Sequence, residues 1–264
     1  MVSISHYVTW QLGKRFPRAI PLVFVVGFPK SGTTWACQLV AAYLRLPFPK
    51  LSLLPFGFPA VVHGHELVEK KYPYCVYVLR DGRDAMTSLY YHIQRGLLRG
   101  QRLRIPRKYH AIFLDGVDTE SVQKNFPRFL EIQIQHPMSS RYSWSEHVTS
   151  YLESDQPKLA GLKYEELLSD GPDVLAREMS KLDGQQPDVE RARFFMNDFS
   201  FSSGKKQEPD ADGKRSFLRK GIAGDWRNHF SRESAQIFDH YCGVGLISAG
   251  YETDSSWIDG LPTS

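Results

Sequence analysis

Phe24-Val-Val-Gly-Phe-Pro-Lys-Ser-Gly-Thr-Thr-Trp35 has the outline of a phosphate-binding loop whose lysine has been displaced. The apolar run Leu22 to Val26 predicts a buried strand, Gly27 to Gly32 its turn, and Thr33 to Leu46 a helix whose amino terminus faces an anion. Nucleoside triphosphate hydrolases place the lysine directly after the second glycine, with Ser or Thr next to it for magnesium. Here the glycine spacing is kept, position 33 is Thr, and the lysine is Lys30, inside the loop. Free backbone N–H groups and the helix dipole still cradle a phosphate, while Lys30 approaches from the loop side, where a bridging oxygen would lie. That favours a leaving group with a 5'-phosphate over a magnesium-bound triphosphate. An ordinary strand-to-helix turn containing glycine fits the same residues, so other stretches must decide.

The second stretch is Tyr77-Val-Leu-Arg-Asp-Gly-Arg-Asp-Ala-Met-Thr-Ser-Leu-Tyr-Tyr-His92. Cys75 to Leu79 predicts another buried strand, Asp81-Gly82 its turn, and Asp84 the cap of a helix carrying Ser88, Tyr91 and His92. Arg80 leaves the strand end and Ser88 lies about one turn beyond the cap, so a guanidinium and a hydroxyl converge on one anion. The same residues also fit an Arg80–Asp84 pair with Ser88 on the helix surface. The third stretch is Ser216-Phe-Leu-Arg-Lys-Gly-Ile-Ala-Gly-Asp-Trp-Arg-Asn-His-Phe230, where Arg219 and Lys220 beside Gly221 and Gly224 make a cationic strap for a phosphate.

With these three elements in this order, the chain from about Val23 to Phe230 resembles the sulfotransferases that use 3'-phosphoadenosine 5'-phosphosulfate (PAPS). The resemblance implies that Lys30 stabilises the departing phosphate oxygen and that Ser31, Gly32, Thr33 and Thr34 hold the 5'-phosphate. It implies that Arg80, Ser88 and Arg219 read the 3'-phosphate, assisted by Lys220 and Gly221, with Ser88 counted among the catalytic residues beside Lys30. It points to Trp35, Tyr164 and Phe201 as aromatic borders of the adenine, although core packing explains all three. The family's catalytic histidine falls at His65 of Val61-Val-His-Gly-His-Glu66, with His63 where the family frequently has lysine. An imidazole with its ordinary pKa of about 6.5 is mostly neutral yet basic near pH 7, as a general base requires. A His-x-His pair on a strand also suits a metal, but no third ligand stands at a convincing spacing, and none is expected. Phe199-Ser-Phe201 departs from the family's Thr-Ser-Phe and removes one expected hydroxyl. The family's dimer motif is also not kept, because Arg227 is followed by Ser231, Arg232 and Gln236, so oligomeric state does not carry over.

Around these motifs the sequence describes one α/β domain over residues 1–264, with a central mainly parallel sheet flanked by helices and a nucleotide site like that of the P-loop proteins. Strand signals at Leu22 to Gly27, Cys75 to Leu79 and Leu159 to Leu162 alternate with helical patterns. Ser143-Trp-Ser-Glu146 has capping-box spacing and begins a helix through Tyr151, and Tyr164-Glu-Glu starts another. Residues 96–137 and 200–216 are expected as mobile loops. From Arg95 to Lys108 the chain carries six cations and no acid, which reads as a solvated face or as an acceptor-binding flap for anionic or interfacial substrates.

A net charge of +4 suits an anionic nucleotide and is too small to argue for nucleic acid. Cys37, Cys75 and Cys242 lack metal-ligand spacing and fit a reducing compartment. No segment approaches the roughly 20 apolar residues that span a bilayer. The expectation is a cytoplasmic enzyme that sulfates a small-molecule, lipid or glycan hydroxyl, or less readily an amine. The competing readings are a P-loop small-molecule kinase using ATP, disfavoured by Thr33 where that class needs lysine, and a silent nucleotide-binding scaffold. Phe56, Phe58, Tyr90 and Phe113 hint at an apolar acceptor pocket and fit core packing equally well.

Overall fold

Leu22–Val26 (β1) is buried at every position, as a strand covered on both faces must be. The computed structural model describes residues 4–49, 58–101, 103–114, 122–199 and 221–263. Three further strands, Ala60–Gly64 (β2), Tyr74–Leu79 (β3) and Leu159–Lys163 (β4), join β1 in a parallel sheet of order β2-β1-β3-β4. The register pairs Val26 with Gly64 and Leu79 with Lys163, so the carboxyl ends of neighbouring strands lie side by side. In open α/β sheets that edge is where ligands bind.

The chain divides into two units. The first comprises Met1–Gly27, Gly32–Leu79 and Ser154–Ala223, and it contains the whole sheet. Its helices are Ile4–Arg15 (α1), Thr33–Leu44 (α2), Tyr164–Ser169 (α7), Gly171–Asp183 (α8) and Val189–Asp198 (α9). Val23, Val25, Val76 and Val78 of the sheet pack with Cys37, Val40, Leu175 and Met179 in one buried cluster. The parallel sheet with helices agrees with the expectation, and β2 is the strand that composition alone does not announce, because its apolar part is only Ala60 to Val62 before His63 and Gly64.

The second unit comprises Phe28–Ser31, Arg80–Glu153 and Gly224–Ser264, and its described elements are helical. They include Gly82–Leu98 (α3), His110–Phe113 (α4), Val122–Gln135 (α5), Trp144–Leu152 (α6) and Arg232–Ser248 (α10). Its core is aromatic: the Tyr90 ring meets Phe113, Phe126 and Phe129, and Phe230 meets Phe126 and Phe238. Tyr90 and Phe113 are therefore core residues, while Phe58 is exposed and Phe56 lies outside the described residues.

Residues 96–137, expected as loop, contain α5. Phe126, Phe129, Leu130 and Ile134 line its buried face at helical spacing, and Pro127 within it is the helix breaker that favoured the loop reading. The Ser143 capping box forms as expected, with Glu146 N donating to Ser143 Oγ and Ser143 N donating to Glu146 Oε2. Residues 200–216 lie outside the described residues. Met196 to Asp198, shortly before them, finish α9.

Candidate functional site

In the first unit the loop ends at Gly32, whose φ of +88° is left-handed and starts α2 without a side-chain cap. A Cβ at Gly32 would stand 2.7 Å from the Tyr164 ring, so only glycine lets the backbone pass beneath that tyrosine. At Gly27 a Cβ would stand 2.6 Å from the Val78 carbonyl oxygen of β3. The first turn of α2 carries no acid, and buried Thr33 Oγ1 has no hydrogen-bond partner among the described residues. An uncapped helix terminus and a buried orphan hydroxyl fit an oxyanion such as the 5'-phosphate. Thr34 is exposed. Trp35 donates from Nε1 to Phe199 O at 2.9 Å and meets the Tyr164 ring edge-on at 5.8 Å.

His65 follows β2 and Gly27 follows β1, and because these strands are paired in register the two lie side by side. His65 Nδ1 stands 2.7 Å from Gly27 O. A carbonyl oxygen can only accept, so Nδ1 carries the proton and in the neutral ring the basic lone pair is on Nε2. His63 packs edge-on against His65 with ring centroids 4.8 Å apart. Among the described residues no group of three His, Cys, Asp or Glu side chains is placed to hold a metal ion.

In the second unit Lys30 also adopts a left-handed φ, +72°, which a side-chain-bearing residue rarely does. Its carbonyl accepts from Arg80 Nη1 at 2.9 Å. Burial, then the charges of Arg95 and Arg80, pull the Lys30 ammonium down to about 8. Ser31 Oγ is buried with no hydrogen-bond partner among the described residues, a second orphan hydroxyl that fits an anion.

Arg80 is 8% exposed, with its backbone carbonyl accepting from Trp144 Nε1 at 3.0 Å. Its guanidinium is 3.9 Å from Asp84 Oδ2. The cap of α3 differs from the sequence expectation. Asp81 caps the helix by accepting from Arg83 N, and Asp84 sits inside the first turn. The Asp84 carboxylate instead accepts from Gly224 N at 2.7 Å and Trp226 N at 2.9 Å, and burial raises its pKa. Asp84 therefore fixes the segment that follows the cationic stretch, where Gly221 and Gly224 both have positive φ. Asp225 accepts from Asn228 Nδ2 and lies 3.2 Å from His229 Nε2, whose Nδ1 is 3.1 Å from the Tyr91 hydroxyl. With Arg83 stacked 3.9 Å from the Trp226 ring, the Gly-Asp-Trp segment is structural.

Ser88 is buried on α3. Phe201, Arg219 and Lys220 lie outside the described residues. Two neighbours of Lys30 escaped the sequence reading. Arg95 acts on the Lys30 charge, and His92 is pushed down to about 4 by burial and then by Lys30 and Arg95. Their signal was present, since 88, 92 and 95 share one face of a helix.

The family model described as the sulfotransferase domain matches residues 63–253. The 3-beta-hydroxysteroid sulfotransferase of Cavia porcellus is 25% identical over 277 residues, covering 90% of this chain and 88% of the relative. Sulfotransferase 1E1 of Homo sapiens is 27% identical over 266 residues, covering 82% and 81%. Among solved structures, mouse sulfotransferase SULT7A1 complexed with PAP superposes with a TM-score of 0.61 at 19% identity over 87% of each chain. Retinol dehydratase in a complex with retinol and PAP does so with a TM-score of 0.64 at 19% identity, covering 93% of this chain and 87% of that one.

Proposed function

The chain belongs to the sulfotransferase domain family, and from that premise we propose that it moves the sulfuryl group of PAPS to a hydroxyl, or less readily an amine, with His65 as general base. The two structural relatives named above hold PAP, the donor product, which supports PAPS as the donor here. The observation that carries the reading is Lys30, held in a left-handed turn inside the loop with its carbonyl tied to Arg80. A residue kept in so uncommon a conformation is kept there by its surroundings, and such strain gathers at functional positions. Position 33, where a kinase of the P-loop class needs its lysine, is Thr with a buried orphan hydroxyl.

When bound, PAPS supplies the sulfuryl group and a good leaving group, adenosine 3',5'-bisphosphate. His65 Nε2 takes the acceptor proton as the acceptor oxygen bonds to sulfur, and the Gly27 carbonyl keeps the ring in the tautomer that permits this. Lys30 meets the electron pair left on the 5'-phosphate oxygen when the S–O bond breaks. Ser31, Gly32, Thr33 and Thr34 hold the 5'-phosphate; Arg80, Ser88, Arg219, Lys220 and Gly221 hold the 3'-phosphate. Trp35, Tyr164 and Phe201 border the adenine. The family match runs through parts of both units, which supports reading the chain as one catalytic domain. Among the described residues no helix is long and apolar enough to cross a membrane.

The test is direct. His65→Ala should keep its affinity for adenosine 3',5'-bisphosphate and lose transfer by about 100-fold or more. Full transfer in that variant would reassign the base. Stabilisation of the fold by ATP and magnesium, but not by the bisphosphate, would replace the reading with the kinase.

A further inference from the structure

Helix α1 turns two unlike faces to its surroundings. Trp10 and Gly13 point to the sheet: the Trp10 ring meets Phe24 edge-on at 4.7 Å and Tyr72 at 5.6 Å, and a Cβ at Gly13 would stand 2.4 Å from Leu22 Cδ1. At about 100° per residue, Ile4, Tyr7, Val8, Gln11 and Arg15 fall on the opposite side, in an arc about 100° wide. All five are exposed, Ile4 by 84% and Tyr7 by 60%. The amino-terminal half of this outward face is therefore apolar and its carboxyl-terminal end cationic. Arg18, in the turn that closes the helix, is exposed as well.

The charge in this part of the chain has one sign. The first 65 residues hold six cations and no Asp or Glu, so they carry the whole net charge of +4 and the remainder is slightly acidic. Lys14, on the flank of α1, pairs with Glu69 at 3.0 Å, and Lys70 pairs with Asp155, so these two acids are engaged with lysines. A second copy docking by the same face would meet Arg15 and Arg18 with the same cations and no carboxylate. Three apolar side chains also fall far short of the roughly 800 Å² per partner that a stable dimer buries. An anionic bilayer answers both halves of the face. Its headgroups take the arginines, its acyl boundary takes the apolar side chains, and a tyrosine ring suits the level between them.

We propose that α1 is a membrane-docking face, which seats Ile4, Tyr7 and Val8 in the surface of a bilayer containing anionic phospholipid and sets Arg15 and Arg18 against its headgroups. The helix lies in the plane of the surface and spans nothing, being only 12 residues long. So small an apolar stripe gives weak, reversible attachment, and residence at the membrane rises with the fraction of anionic lipid. The proposal stands apart from the sulfuryl-transfer reading, because α1 contributes no residue to the site described above.

The experiment is co-sedimentation of the full chain with vesicles of phosphatidylcholine alone and with vesicles in which about 30% of it is replaced by phosphatidylserine. The anionic vesicles should bind about tenfold or more tightly, and about 0.5 M sodium chloride should remove most of that difference. Ile4→Glu/Val8→Glu should weaken binding to the anionic vesicles about tenfold, and Arg15→Gln/Arg18→Gln about as much. Arg15→Lys/Arg18→Lys, which keeps the charge, should bind like the wild type. Phe194→Glu, at an exposed aromatic of α9 in the same unit, should also leave binding unchanged. Thermal unfolding of each variant should match the wild type, since every substituted side chain is exposed. Equal binding to the two kinds of vesicle, or none to either, overturns the proposal. Undiminished binding by the Ile4→Glu/Val8→Glu and Arg15→Gln/Arg18→Gln variants does so too, because the contact would then lie elsewhere. A dimer in sedimentation velocity without vesicles, dispersed by Ile4→Glu/Val8→Glu, would make a second copy the occupant and overturn it as well.

Discussion

The two units reach their functional residues by different physics. In the α/β unit, geometry does it: parallel register sets His65 beside Gly27, and Gly27 and Gly32 stand where no Cβ fits. In the helical unit, charge does it. Arg80 and Asp84 are buried together, Arg83 is held by Asp81 and Glu252 between two tryptophan rings, and Lys30 shares its surroundings with Arg80 and Arg95. Substitution in the first unit should therefore act through sterics and be insensitive to pH. Substitution in the second should act through unpaired charge and move with pH.

The largest effect expected is at Lys30, where removing the cation proposed to meet the leaving oxygen should lower turnover about 100- to 1000-fold. The fold and the bisphosphate affinity of Lys30→Ala should largely survive, as checked by single-turnover kinetics beside calorimetry. Next is Asp84→Ala, which leaves Arg80 without its carboxylate and orphans the N–H groups of Gly224 and Trp226. A loss of about 3–5 kcal/mol in denaturant unfolding is expected. A neutral result would show that the helical unit does not depend on its buried charge. In the other unit, Gly32→Ala meets both a positive φ and the Tyr164 ring, and should cost about 1–3 kcal/mol with the same loss at pH 6 and pH 9. A pH-dependent loss there would erase the contrast.

The smallest effect sharpens it most. Lys30 loses its proton near pH 8 in the free enzyme, and kcat/KM reports free-enzyme ionisations. If the charged ammonium is required, kcat/KM for the donor should fall as pH rises past about 8. Arg95 repels that proton, so Arg95→Gln should shift the fall to higher pH, by up to about one unit. A shift downward, or none, would mean that Arg95 does not act on Lys30.

Most of the sheet was legible because strands buried on both faces are continuous apolar runs, and Leu22–Val26 and Tyr74–Leu79 are such runs. The loop was legible because short spacings imposed by backbone geometry survive in sequence, whereas His65 was singled out only through the family resemblance. Helix α5 was not, since Pro127 inside it reads locally as a helix breaker although Phe126, Phe129, Leu130 and Ile134 keep helical spacing. Asp84 was misread as a cap because its partners, Gly224 and Trp226, lie far along the chain, and Asp81 stands three residues earlier with equal claim to the role. Arg95 was read as part of a basic run. Its effect on Lys30 appears only once the helix brings residues remote in sequence into one electrostatic neighbourhood.

The central proposal is that a nucleotide phosphorylated at both its 5' and 3' positions is held, with Ser31, Gly32, Thr33 and Thr34 at the 5'-phosphate and Arg80 at the 3'-phosphate. It is tested most directly by titrating adenosine 3',5'-bisphosphate and adenosine 5'-monophosphate into the wild type and into Arg80→Gln. The wild type should bind the bisphosphate about 100-fold more tightly, and the variant should lose most of that preference while its affinity for the monophosphate holds. Equal affinity of the wild type for the two nucleotides would contradict the account.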